Sequence, residues 1–193
     1  DPVKILHDAR MLRYGIRQDF DRIRLLSVNH SMVHRKMTLE MTRSFREICG
    51  YNITSIRDVP IATSGMFDDL MRPKFPEEEV RRFNSDIVLV PAWDLTRIWI
   101  NADRVFYKER FSFFSGAYYG LHIILSNYSG TVMENPAMKW ELSSDQEVIA
   151  GHNVMTNQTF RPGEVKELGY ISMTLPEVRK PRTCILRVEM NAG

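Results

Sequence analysis

The sequence predicts an α+β protein, with helices in the first half of the chain and antiparallel strands in the second. Up to Ile48, apolar residues recur every three or four positions, which is the spacing of one helix face. From about Asp86, short apolar runs with period two alternate with turn residues. Seven or eight short strands over about 100 residues predict an immunoglobulin-like antiparallel β-sandwich.

Two long helices are expected before Gly50. The first begins at Asp1, a helix-capping residue that is followed by Pro2. Its apolar face consists of Ile5, Ala9, Leu12, Ile16, Phe20, Ile23 and Leu26. The second helix follows Asn29 or Ser31 and has Gly50 as its C-cap. Its predicted buried stripe is Met37, Met41, Phe45 and Ile48.

The segment after Gly50 changes its period. Tyr51–Ile56 alternates and is rich in β-branched residues, so it predicts a short strand, and Pro60 ends it. An irregular stretch from Thr63 to Pro76 follows, and then a short helix with acids in its first turn. A single strand between helices has no sheet to join, so we expect the missing strands to come from a longer parent polypeptide.

Eight strand candidates follow, and Trp140 is expected to be their central core residue because Met138 and Leu142 flank it on one face. We expect the boundary between residues 84 and 97, and we assign 1–91 and 92–193 to the two regions. The candidates are Ile87–Val90, Arg97–Ile100, Arg104–Tyr107, Gly120–Asn127, Met138–Leu142, Glu147–Val154, Lys166–Thr174 and Thr183–Met190.

Composition excludes several classes of function. The chain is 44% hydrophobic and 26% charged, which is typical of globular proteins rather than disordered ones. Its 26 Lys and Arg against 24 Asp and Glu leave a net charge of +2, without a basic stripe for nucleic acid. No apolar run approaches the roughly 20 residues that cross a bilayer. We therefore predict neither a nucleic-acid nor a membrane partner.

Motifs for metals and cofactors are missing from the sequence. Cys49 and Cys184 have no zinc-ligand spacing and are interpreted as two buried small hydrophobic residues. His30 and His34 are four residues apart and can share a helix face as metal ligands, but capping and surface roles are the preferred interpretation. There is no glycine-rich phosphate loop, GxSxG or HExxH motif. No metal and no cofactor are predicted.

The order of motifs resembles the C-terminal part of glycoside hydrolase family 2, in particular its bacterial β-galactosidase-like branch. The resemblance covers residues 35 to 190 and rests on CGYNITSIRDVP, Met66-Phe67-Asp68, PEEEVRRFN, IWINADRVFYKERF, HIILSNYS and MKWEL. It implies the end of a (β/α)8 barrel followed by an immunoglobulin-like sandwich. The family's DFPGQG turn corresponds to Asp58–Thr63, which keeps the acid and the proline but lacks the glycines.

The resemblance also implies a function. The family hydrolyses glycosides with retention, using two carboxylates on the fourth and seventh barrel strands. Both would precede residue 1, so this chain alone is expected to lack catalytic residues and to be inactive. Arg57 and Asp58 match a substrate-lining position at the eighth strand. The expected partners are a carbohydrate substrate and the remainder of the parent polypeptide, in the periplasm or outside the cell if the parent is bacterial.

Two alternatives remain open at this point. Asp58 can instead cap its own turn beside Arg57, with no role towards a substrate. The chain as a whole can belong to a non-catalytic carbohydrate-binding or adhesion protein with an immunoglobulin-like domain.

Overall fold

The computed structural model describes residues 2–59, 62–92, 99–100, 104–105 and 111–191. It divides the chain into two compact units. The first comprises Asp1–Thr42 and Gly50–Ser85, and the second comprises Arg43–Cys49 and Asp86–Gly193. The fold is α+β with antiparallel sheets, which confirms the predicted class at that level. Asp1, the expected first helix cap, lies outside the described residues.

The helices are α1 (Pro2–Arg13), α2 (Phe20–Arg43) and α3 (Glu77–Asn84), with a 3₁₀ turn at Arg17–Asp19 between the first two. The predicted short helix is confirmed as α3, with Glu77, Glu78 and Glu79 in its first turn. The break between the predicted long helices is misplaced, because α2 runs without interruption through Asn29 and Ser31.

Gly15 ends α1. It has a φ of +65°, and its N–H donates to Leu12 O at 3.1 Å while the N–H of Ile16 donates to Met11 O at 3.1 Å. This pair of bonds is a Schellman motif, in which a glycine in the left-handed region satisfies the last helical carbonyls. The end of α1 is therefore determined by Gly15, and the spacing of the apolar residues alone does not indicate it.

The C-terminal end of α2 also differs from the prediction. The helix stops at Arg43, so Gly50 is not its cap and Phe45 and Ile48 lie outside it. The buried Arg43 guanidinium donates from Nη2 to Asp86 O at 2.9 Å and from Nε to Ser126 Oγ at 3.2 Å. These bonds hold the start of the 43–49 segment in the second unit. The predicted stripe is correspondingly not buried, since Met37, Met41 and Phe45 are exposed.

The predicted strand Tyr51–Ile56 is wrong. Ser55 has a φ of +62°, which interrupts any extended run, and no ladder partner pairs with this segment among the described residues. Ile56 O instead accepts the N–H groups of Met66 and Phe67 at 2.8 and 3.0 Å. The alternation was present, but a strand forms only when a neighbour supplies the ladder bonds.

The second unit contains two three-stranded antiparallel sheets, ordered β1-β4-β9 and β10-β6-β7, and two short strand pairs, β2-β3 and β5-β8. The strands are β1 (Ile87–Ala92), β2 (Trp99–Ile100), β3 (Arg104–Val105), β4 (Tyr118–Asn127), β5 (Met133–Glu134), β6 (Ala137–Ser144), β7 (Glu147–Met155), β8 (Thr159–Phe160), β9 (Glu164–Thr174) and β10 (Ile185–Asn191). Most candidates are confirmed, although parts of Arg97–Ile100 and Arg104–Tyr107 lie outside the described residues. Because β1 pairs with β4, it belongs with the strands that follow it.

One hydrophobic core joins the two three-stranded sheets. Trp140 is buried between Met138 and Leu142 of β6, as predicted. The β4 and β9 side chains of the same core are Leu121, Ile123, Leu125, Leu168 and Ile171. A bulge pairs Ile123 with Gly169 and Ile124 with Glu167, which leaves Leu168 unpaired in the ladder.

Cys49 and Cys184 are both exposed, so their interpretation as buried residues is wrong. Neither lies on a core-facing position of a strand. Among the described residues, no helix has the length and apolar character that a membrane crossing requires.

Candidate functional site

Arg57 and Asp58 belong to a loop of the first unit, residues 56–74, which we call the Asp58 loop. The N–H of Asp58 donates to Phe67 O at 3.0 Å, and Val59 and Ala62 exchange N–H···O bonds of 3.0 and 2.9 Å. These bonds connect the two sides of the loop although neither side is a regular strand. Asp58 is therefore placed by loop hydrogen bonds rather than by the end of a barrel strand.

The Asp58 carboxylate is held by two donors. Its Oδ1 accepts the N–H of Gly65 at 2.8 Å, and the Lys74 ammonium donates to Oδ1 at 3.0 Å and to Oδ2 at 2.9 Å. The side chains of Lys74 and Asp58 are only 15% and 13% exposed. Lys74 also donates to Thr63 O at 2.8 Å. The ammonium thus ties the middle of the loop to its end.

Gly65 is required by the close approach of the backbone at Asp58. A Cβ at this position would lie 2.5 Å from Asp58 N and 2.8 Å from Asp58 Oδ1. Those atoms are backbone and a bonded carboxylate, so neither can move aside cheaply. Any other residue at position 65 would break the bond that orients the acid.

Helix α2 contributes Arg35 to the same region. Its guanidinium donates to Ser64 O and lies 5.8 Å from the centroid of the buried Phe75 ring. Its Nε is buried and has no hydrogen-bond partner among the described residues. Arg35 therefore anchors the loop on α2 with one of its donors still unused.

Asp68 forms a tight turn within the Asp58 loop. Its Oδ1 accepts the N–H groups of Leu70 and Arg72 at 2.9 and 2.8 Å, and its Oδ2 accepts Arg72 Nε at 2.6 Å. These bonds, with the Arg72 backbone N–H as the largest contribution, lower the pKa of Asp68. Asp68 is a turn-forming acid, and all its bonds are local.

The arrangement sets limits on what Asp58 can bind. Each carboxylate oxygen accepts about two hydrogen bonds, so with the partners among the described residues Oδ1 is saturated and Oδ2 has one acceptor position left. That position suits a single hydroxyl group rather than the vicinal pair expected from sequence. Arg57 is exposed and offers the planar donor fork of a guanidinium.

Sequence reasoning missed Gly65, Lys74 and Arg35. Lys74 is separated from Asp58 by 16 positions, and no periodic pattern links the two. No local signal distinguished Lys74 from Arg72, the other cation of this irregular stretch. Arg35 lies in the middle of α2 and belongs to no sequence motif.

Other titratable clusters in the described part of the chain do not form a metal site. The His30 and His34 rings lie 4.4 Å apart in an edge-on arrangement, and no group of three or more ligand side chains occurs among the described residues. Glu40 on α2 is buried beside Lys36. Burial raises the pKa of Glu40, and the hydrogen bond and charge of Lys36 offset part of that effect.

Comparison with protein families gives one match. A family model described as "Domain of unknown function (DUF8488)" matches residues 119–193, which is less than half of the chain. The match begins in β4 and extends through β10, so it covers one part of the second unit and none of the first. A search of curated proteins found no match.

Proposed function

We propose that this chain is the C-terminal part of a retaining, family 2-like glycoside hydrolase of the β-galactosidase type. The observation that carries the proposal is the order of parts. Helices lead through the Asp58 loop and the PEEEVRRFN helix α3 into antiparallel sheets, where the MKWEL strand β6 supplies the core residue Trp140. This order matches the family's barrel end and following immunoglobulin-like sandwich.

The second unit supports the sandwich part of the proposal. Its two three-stranded antiparallel sheets contribute alternate side chains to one core, and an immunoglobulin-like sandwich likewise builds its core from two sheets. The buried Trp140 at the centre of β6 is the large aromatic residue such a core uses.

The exposed apolar residues of the first unit support the barrel part of the proposal. Exposed apolar residues run along both long helices: Ile5, Leu6, Leu12, Ile23, Leu25, Leu26 and Val33. Large apolar side chains left exposed in this number are typical of helices that another element covers. In our proposal, that element is the strand layer of the barrel, supplied by the remainder of the parent polypeptide.

The mechanism assigns a supporting role to this chain. Retaining hydrolysis needs an acid/base and a nucleophile about 5 Å apart, and in our proposal both belong to other parts of the parent. Arg57 would bind the sugar through its donor fork, and Asp58 would accept one hydroxyl at the remaining position of Oδ2. Lys74 and Gly65 would position Asp58 without touching the substrate.

The test uses the parent enzyme and an aryl β-galactoside. We expect turnover from the parent and none from the 193-residue chain alone. Arg57→Ala in the parent should lower kcat/KM about 10-fold with an unchanged melting temperature, because one exposed charge-assisted contact is lost. Arg46→Ala, another exposed arginine, should leave kcat/KM unchanged. Glycosidase activity in the isolated chain would contradict the assignment of both acids to the parent.

One observation favours the non-catalytic alternative. The Asp58 carboxylate is already engaged by Lys74 and Gly65, as in a loop whose acid has a structural role and does not bind a substrate. A carbohydrate-binding or adhesion protein would show no turnover in the full-length form, and its upstream sequence would lack the two strand-end glutamates. The same assay on the parent therefore separates the two functions.

A further inference from the structure

We propose that the outer face of the β1-β4-β9 sheet binds an uncharged glycan chain at a second site. The site is formed by Tyr118, Gly120, His122, Glu167 and Tyr170, which we call the Tyr170 patch. It lies in the second unit and uses none of the residues of the Asp58 loop. The proposal therefore does not depend on whether the parent is a hydrolase.

The strand register places these residues on one face. In β4, Tyr118, Gly120 and His122 alternate with the core residues Leu121 and Ile123, so they point away from the core. The register sets Gly120 opposite Ser172 and His122 opposite Tyr170 of β9. All members of the patch are exposed.

Gly120 leaves room for the phenol of Tyr170. A Cβ at Gly120 would be 2.0 Å from Tyr170 Oη and 2.9 Å from its Cζ, so the phenol extends over the glycine instead of standing upright. A glycine inside a strand weakens it and often marks a close approach. Here the space above the glycine is occupied by the phenol end of Tyr170, a side chain that is 40% exposed.

Hydrogen bonds fix this ring in place. Tyr118 Oη and Tyr170 Oη lie 3.0 Å apart, and the His122 ring centroid is 4.4 Å from that of Tyr170 at an interplanar angle of 46°. His122 Nδ1 is in turn 2.9 Å from Glu167 Oε2. The patch is thus a pre-ordered aromatic surface surrounded by hydroxyl, imidazole and carboxylate groups.

These groups match the chemistry of a neutral sugar. A hexose ring has a face of C–H groups, which packs on an aromatic face, and a rim of hydroxyls, which exchange hydrogen bonds with neighbouring polar groups. The patch contains no Lys or Arg to attract a phosphate or carboxylate, and its acid is paired with His122. Charge complementarity therefore favours an uncharged ligand.

The experiment is native gel electrophoresis of the purified chain in gels that contain a neutral galactan, glucan, mannan or xylan. We expect at least one polysaccharide to retard the chain. Tyr118→Ala should weaken that retardation about 10-fold, since an aromatic contact with its hydroxyl is worth on the order of one decade in affinity. Tyr14→Ala is the matched control, because Tyr14 of the first unit is 67% exposed and Tyr118 is 66% exposed.

Two further variants keep the test independent of folding. Tyr170→Phe keeps the ring and should bind within about 3-fold of the unmodified chain, whereas Gly120→Ala should displace the ring and lose about 10-fold. Circular dichroism checks that each variant retains its strands.

Three outcomes would overturn the proposal. The first is no retardation by any of the four polysaccharides, and the second is equal retardation of Tyr118→Ala and the unmodified chain. The third is self-association, seen by light scattering and abolished by Tyr118→Ala, without retardation, which would replace the glycan by a second copy of the chain. None of these outcomes bears on the activity of the parent.

Discussion

The two units of this chain differ in how much of their apolar surface is buried. In the second unit, two antiparallel sheets close on each other and bury a core that includes Leu125 and Trp140. In the first, α1 and α2 expose much of their apolar surface, and the buried apolar residues among those described are Met11, Phe75 and Phe83. Paired sheets complete a core from their own strands, whereas helices of this kind need a further layer to cover them.

The largest expected effect tests this contrast directly with one substitution in both units. Leu125 is 0% exposed in β4 and Leu25 is 61% exposed in α2. Leu125→Ala should lower the free energy of unfolding by about 3 kcal/mol, because it leaves a cavity in a closed core. Leu25→Ala should change it by less than about 0.5 kcal/mol. Urea unfolding monitored by circular dichroism measures both, and similar losses in the two variants would show that α2 is already covered.

An intermediate effect is expected at the ion pair of the Asp58 loop. Asp58→Asn leaves the Lys74 ammonium with little solvent and no counter-charge, and should cost about 2 kcal/mol in the first unit. Glu77→Gln breaks the exposed pair with Arg81 and should cost less than about 0.5 kcal/mol. Thermal unfolding of the two variants gives the comparison. If the Asp58→Asn protein is as stable as the unmodified chain, the Lys74–Asp58 ion pair does not stabilise the loop.

The smallest effect concerns Glu40 and the pH dependence of the first unit. Burial raises the pKa of Glu40 above 4.5, so the folded state binds this proton more tightly than the unfolded state. The resulting stabilisation is complete below pH 4.5 and is lost as the pH rises through the raised value. Glu40→Gln, which stays neutral, should therefore gain stability relative to the unmodified chain as the pH goes from 4 to 7.

Unfolding free energies of both proteins across this pH range measure the effect. Parallel curves for Glu40→Gln and the unmodified chain would mean that the Lys36 ion pair fully compensates for the burial of the carboxylate.

The elements that were predictable are those whose signal is local and complete. Helix α3 has its acids, its apolar side and its proline start within nine residues of each other, and it forms from Glu77 to Asn84. Strand β6 alternates without interruption around Trp140, so its inward face was evident. In β9 the bulge at Leu168 shifts the alternation by one residue, so that Leu168 and Ile171, three positions apart, both reach the core.

The candidate site was predictable only in part. Asp58 was found because an acid and a proline occur together in a family-like motif, but its environment was not. Lys74 and Arg35 reach the loop from 16 residues downstream and from the middle of a helix, and only folding brings them there. The strand that was to present Asp58 does not form: Ser55 has a φ of +62°, and no described strand pairs with Tyr51–Ile56.

The sequence by itself determined where apolar residues recur with period two or 3.6, and hence that helices precede antiparallel strands. It also determined the end of α1, because Gly15 adopts the left-handed conformation at little cost. The tertiary structure decided where α2 ends, through the buried bonds of Arg43, and whether Tyr51–Ile56 becomes a strand. The physical reason is that propensity and capping act within a few residues, whereas a ladder, a buried ion pair and a covered helix face each need a partner from elsewhere in the fold.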